Sequence, residues 1–187
     1  MILLIDVVSP IPVFHIIDDN KIVHSENIIK KDEKLSFRLI PVYLKIKKKF
    51  NLDNKLKKLI ITIGPGSYTA MRVGSSFAAG LSKSMSLTIS MLSSENIYEF
   101  YNDNYNQHAI FFESSNNQCF LSYKKKNKFF HKKIENNNDL SNENFRHIIY
   151  NIKPRMLIHS KTSLQELKFN QIIEDNLKKF IFKKNKK

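Results

Sequence analysis

Residues 64–74 read GPGSYTAMRVG, the stretch whose residue types and spacing point most clearly to a built site. All four glycines of the 187-residue chain, at 64, 66, 74 and 80, fall within this segment and the turns just after it. Gly64 ends an apolar run and Pro65 stiffens the link. Gly66 is expected to take a positive φ that a side chain would resist. Ser67 is placed to cap a helix, its hydroxyl accepting from an amide of the first turn. Gly74, Ala78, Ala79 and Gly80 then give that helix a small-residue face where another backbone can come close.

Amides at a helix start can hold an anion. The common phosphate loops nevertheless fail to fit. No Lys-Ser/Thr follows as in a Walker A loop, and Thr69 stands where a dinucleotide fingerprint has its third glycine. Gly66-Ser67 is not a G-x-S-x-G elbow either. Arg72 falls in the first helical turn, where the dipole disfavours a cation. A negative group is therefore expected beside it: a carboxylate of this chain, a partner's carboxylate, or a phosphate. No catalytic residue stands out. The six histidines are scattered, with no H-E-x-x-H pairing, so no metal site is expected. Asp6 ends the first strand, where a sugar kinase would hold magnesium, but VVSPIP follows it without a glycine.

The elements that must position this turn follow from periodicity. Strands are expected at 1–6, 13–17, 21–29, 59–63 and 87–91, with a hairpin turn at Asp18-Asp19-Asn20. Helices are expected at 34–50, 67–85 and 93–101. In the first of these, Leu35, Leu39, Val42 and Ile46 share a face, with Phe37, Ile40 and Leu44 beside it. That stripe is too wide for a helix covering only its own sheet, so either a second lobe or a partner covers the rest. An antiparallel meander is expected over 109–113, 119–124 and 128–134, turning at Asn116-Asn117 and Lys126-Asn127. A helix at 141–151, a strand at 156–159 and a final helix at 162–182 complete a mixed α/β sheet with no visible repeat.

The segment GPGSYTAMRVGSSFAAGLS, directly after an apolar strand, resembles the GPGSFTGLRIG signature of the TsaB (YeaZ) family. Gly64, Pro65, Gly66, Ser67, Thr69, Arg72 and Gly74 fall in register, and Tyr68 stands at the aromatic position. Ile5-Asp6, the following hairpin and a proline inside the first helix (Leu39-Ile40-Pro41) are similar too, as is LTISMLSSENI. The likeness runs over roughly residues 1–101. It implies an actin-like ATPase (ASKHA, ribonuclease H-like) lobe at 1–103, a shortened second lobe at 104–182 and a basic tail at 183–187. It further implies a non-catalytic scaffold that pairs with a TsaD-type transferase, which threonylcarbamoylates the adenosine beside the anticodon of tRNA. A TsaE-type ATPase joins the assembled complex, and tRNA is reached through it. Such proteins pair through their first two helices, which implies an interface of Leu35, Arg38, Leu39, Val42, Arg72, Phe77, Ala78 and Leu81. Self-pairing into a homodimer through the same helices is the alternative when the transferase is absent.

The chain departs from the family pattern at several points. Val7 stands where a phosphate-contacting hydroxyl is common, Leu35 where a histidine is common, and Ala70 where the signature has glycine. These losses imply no cofactor. The competing reading is a free-standing actin-like ATPase.

Composition bounds the rest. With 42% hydrophobic residues and 11% aromatics, the chain suits a packed protein. Its opening MILLIDVV lacks a basic n-region, no apolar run suits a membrane span, and Cys119 is the single cysteine, so a cytoplasmic protein is expected. The net charge of +14 has two readings. A Lys-, Asn- and Ile-rich composition makes any surface basic, whereas a selected charge would steer a polyanion.

Overall fold

A computed structural model describes residues 1–9, 11–30, 33–102, 108–113, 118–126, 128–135, 145–151, 154 and 162–167. The first sheet holds β1 (Ile2–Asp6), β2 (Val13–Asp18), β3 (Lys21–Asn27), β4 (Lys58–Ile63) and β5 (Thr88–Ser93) in the order β3-β2-β1-β4-β5. β1–β2 and β2–β3 pair antiparallel, while β1–β4 and β4–β5 pair parallel. Asp19 and Asn20, both at positive φ, make the tight β2–β3 turn, the backbone that matches strand twist.

The interior strands are apolar on both faces because both faces are covered. Leu3, Ile5, Phe14, Ile16, Leu59 and Ile61 face α1 (Leu35–Phe50) and α3 (Tyr68–Met85). Leu4, Ile60 and Leu92 face a second core shared with α4 (Ser94–Asn102) and the second sheet. Burying each such Leu or Ile contributes about 1.5–3 kcal/mol. α1 ends where Asn51 turns left-handed, with Lys47, Lys48 and Lys49 in its last turn complementing the dipole. It runs through Pro41, and a short helix, α2 (Leu52–Lys55), leads to β4.

The second sheet holds β6 (His108–Glu113), β7 (Cys119–Lys125), β8 (Lys128–Ile134), β9 (His147–Tyr150) and β10 (Ser163–Glu166) in the order β10-β9-β6-β7-β8. Its pairings repeat the first sheet: β6–β7 and β7–β8 antiparallel, β6–β9 and β9–β10 parallel. The two sheets thus share one topology, a repeat that the residues conceal because topology recurs where side chains differ.

The expected helix at 141–151 is overturned. His147–Tyr150 is a strand in the sheet interior, with Ile148 and Ile149 buried on opposite faces between β6 and β10. Ile-Ile-Tyr is β-branched and aromatic, and the parallel ladder decides it. The start of the final helix fails likewise, since Ser163–Glu166 pairs with β9. The expected strand at 156–159, the rest of the final helix and the turn at Asn116-Asn117 lie outside the described residues. Gly66 is also corrected. No glycine has a positive φ, and its smallness serves the close approach of Val8, 3.6 Å from where its Cβ would stand.

Candidate functional site

The turn at 64–74 works as a corner. Ser67 Oγ accepts from the Ala70 amide at 3.3 Å, capping α3 as expected. Gly66 lies against Val8, and a Cβ on Gly74 would stand 2.7 Å from Val7 Cγ1. Gly74 and Ala78 are therefore the positions at which α3 beds down on the first sheet, and both are buried. Gly80 has nothing within 4 Å of its Cβ position and Ala79 is exposed, so the small-residue face is divided between core and surface.

Bedding α3 this closely opens a groove of about 490 Å³ between it and α1. Ser36, Leu39 and Ile40 form one wall, and Thr69, Arg72, Val73, Ser76 and Phe77 form the other. Phe77 is fixed from below by Tyr43 and Phe14, whose ring centroids lie 5.2 and 5.9 Å from its own. Tyr43 is itself tied down, its hydroxyl donating to Met85 Sδ, and burial pushes its pKa up to about 12, with Asp53 adding to the effect. Along the rim, Phe37, Ile40 and Leu44 are 73%, 57% and 53% exposed at helical spacing.

Of the residues expected at an interface, Leu39, Arg72 and Phe77 line the groove. Val42 and Ala78 lie buried beneath it, and Leu35 and Leu81 are partly buried against the same core. Arg38 instead meets Glu33 at 3.2 Å. Ser36, Ile40, Val73 and Ser76 were absent from that set, as was Thr69, which was named only in the signature turn. Ser36 lies three residues before Leu39 and Ser76 four after Arg72, so helical spacing carried the signal for those two, whereas Ile40 and Val73 directly follow Leu39 and Arg72.

Arg72 is the fifth residue of α3, just past the first turn in which it was expected, so the dipole acts on it only weakly. Its guanidinium lies 5.5 Å from the Tyr68 ring centre. Among the described residues no carboxylate of this chain pairs with it, and the residue lines the groove. Tyr68 itself is 70% exposed.

The fold family implies a magnesium–nucleotide site at the end of β1, and the residues there do not fit one. Asp6 is buried, and its Oδ1 accepts from Thr62 Oγ1 at 2.9 Å, from the Val8 amide at 3.1 Å and from the Ser9 amide at 3.3 Å. The amides of the first hairpin that would cradle a phosphate are thus turned onto Asp6. Val7 donates to Thr62 Oγ1 at 3.0 Å, and its side chain is spent on Gly74. Among the described residues no group of three His, Cys, Asp or Glu side chains gathers to hold a metal.

The family model described as TsaD: tRNA N6-adenosine threonylcarbamoyltransferase matches residues 26–170. The chain belongs to this family. Membership ties it to tRNA N6-adenosine threonylcarbamoylation at the level of the family, in line with the TsaB (YeaZ) resemblance of the signature turn. No curated protein matches the chain. Among solved structures, it resembles YeaZ from Pseudomonas aeruginosa at 13% identity and a TM-score of 0.48, over 71% of this chain and 66% of that one. The present chain therefore spans about two thirds of that relative. A second structure, an uncharacterized protein with similarity to peptidase YEAZ from Pseudomonas aeruginosa, matches at 10% identity and a TM-score of 0.56. That match covers 97% of this chain and 93% of the other, and it shows a shared α/β actin-like fold. Among the described residues no helix is long and apolar enough to cross a membrane.

Proposed function

We propose that this family member is a non-catalytic scaffold whose α1–α3 groove receives a TsaD-type transferase, supporting threonylcarbamoylation of the adenosine beside the anticodon of tRNA. The observation that carries the reading is the groove itself. An apolar floor anchored by Phe77, an exposed rim of Phe37, Ile40 and Leu44, and the Arg72 charge combine in one surface. Clustered exposed hydrophobics flanked by charge mark a protein interface. The occupied Asp6 carboxylate supports a role without nucleotide chemistry of its own.

In this reading a TsaE-type ATPase and tRNA join through the assembled complex. When the transferase is absent, the same groove pairs two copies of this chain. Size-exclusion of the full chain with and without a TsaD-type protein tests the proposal. A heterodimer that forms at the expense of any homodimer is the expected result. Calorimetry with ATP and magnesium on the chain alone is the companion measurement, and tight binding with turnover would instead favour a free-standing ATPase.

A further inference from the structure

The β7–β8 hairpin concentrates charge beyond what a lysine-rich composition explains. Residues 124–133 hold six lysines, one histidine and no acid. Lys124 pairs with Glu99 at 2.8 Å and Lys133 with Glu135 at 3.3 Å, while Glu95 acts electrostatically on Lys124 and His131 at the base of the hairpin. Lys125, Lys126 and Lys128, at the exposed tip, have no ion pair among the described residues.

Strand register decides what shares a face with those charges. Tyr123 stands opposite Phe130, and Lys125 opposite Lys128. Side chains alternate across a strand, so Phe130 and Lys128 lie on one face about 7 Å apart along β8, and Lys125 stands on the same face across from Lys128. Phe130 is 41% exposed, and its inner side stacks on the Tyr123 ring, with centroids 5.7 Å apart and planes 21° from parallel. The ring is thus held flat, one side on the buried Tyr123, with Lys128 beside it on the edge strand β8, Lys125 across from Lys128 on β7 and Lys126 in the turn between.

We infer that this hairpin binds an unpaired stretch of RNA, stacking a base on Phe130 and engaging adjacent phosphates with Lys125, Lys126 and Lys128. Aromatic platforms beside a positive track are how proteins hold single strands without reading their sequence. The inference rests on the proposed function only for the identity of the RNA, a tRNA whose loops supply unpaired bases. The competing role for lysines on an edge strand is to block pairing with another sheet. Glutamates would serve that purpose as well as lysines but would repel RNA, so charge reversal separates the two roles.

The test measures binding of a tRNA transcript to the full chain by fluorescence anisotropy across a salt series. The variant Lys125→Glu/Lys126→Glu/Lys128→Glu should lose at least tenfold in affinity. Its slope of log K against log salt should shrink by about 2, as three lost single-strand phosphate contacts require. Phe130→Ala should weaken tRNA binding at least fivefold and leave binding of heparin, a polyanion without bases, unchanged. The control Lys48→Glu/Lys49→Glu/Lys57→Glu makes the same change in net charge at exposed positions elsewhere and should stay within about threefold of the parent. Equal loss in hairpin and control variants would overturn the inference, because net charge alone would then explain binding. Unchanged tRNA affinity in the hairpin variant would overturn it too. Co-elution of each variant with a TsaD-type protein is followed separately: if the parent chain fails to co-elute, the scaffold reading falls while the hairpin is still judged by its tRNA affinity.

Discussion

Val7 and Gly74 fit each other so closely that a methyl group on the glycine would stand 2.7 Å from Val7 Cγ1. Val7 is buried, β-branched and stiff, so it has little room to move aside. Replacing a helix-interior glycine by alanine ordinarily gains about 0.5–1 kcal/mol. Here overpacking, at about 1–3 kcal/mol, reverses the sign. Gly74→Ala should therefore lower unfolding free energy by about 1–2 kcal/mol in urea titrations. Gly80→Ala, with open space around it, should raise it by up to about 1 kcal/mol. Pairing Gly74→Ala with Val7→Ala should recover part of the loss, and strict additivity of the two would disprove the contact.

That pair also marks the limit of what the residues alone reveal. The Ser67 cap, the Asp19-Asn20 turn and the β6–β7–β8 meander are local, set by turn chemistry and period, and they were legible. β9 was not, because His147–Tyr150 becomes a strand only through partners at β6 and β10 far along the chain. At the site, the apolar stripe of α1 announced a contested face, but which half stays open depends on how deeply α3 beds. That depth is set by Gly74 against Val7, a contact between residues 67 positions apart. The tight approach was visible as a small-residue helix face, whereas its partner was not.

Thr62 supports the first hairpin from within the sheet. Its hydroxyl donates to Asp6 Oδ1 and accepts from the Val7 amide, and both bonds are buried. Thr62→Val keeps the shape and leaves the Val7 donor and a buried carboxylate short of partners. Leaving a buried group unsatisfied costs about 1–3 kcal/mol, more for charged groups. A drop of at least about 2 kcal/mol is expected by urea unfolding. Thr62→Ser, which retains the hydroxyl, should recover more than half of it, and equal losses in the two variants would assign the effect to packing.

His15 makes the fold sensitive to mild acid. Burial lowers its pKa, and the nearby Asp6 charge opposes the shift only in part. Its Nδ1 lies 2.8 Å from Ser25 Oγ on the neighbouring strand. The folded group thus resists a proton that the unfolded chain takes up near its ordinary value of about 6.5. Stability is full above that value and falls as pH drops below it, until the folded histidine titrates as well. His131 is shifted downward for the same main reason, burial, and adds to the slope. Unfolding free energy measured from pH 7.5 to 5.5 should decline in the parent chain and decline less in His15→Gln. Parallel slopes in the two proteins would remove His15 from the account.

Arg72 offers a way to separate folding from assembly. It is exposed, its guanidinium near Tyr68 and its charge unpaired among the described residues. Reversing it should leave stability within about 0.5 kcal/mol, as for other surface sites. A glutamate near the start of α3 is, if anything, slightly favoured by the helix dipole. Association is a different matter, since a like charge facing a partner's carboxylate in a desolvated groove costs several kcal/mol. Arg72→Glu should therefore keep its urea midpoint and lose at least tenfold in affinity for a TsaD-type protein by calorimetry. Ile40→Glu, which puts a charge into the apolar wall instead, should weaken the same complex without the salt dependence expected of the Arg72 variant. A stable Arg72→Glu chain that binds as tightly as its parent would move the interface away from this end of the groove.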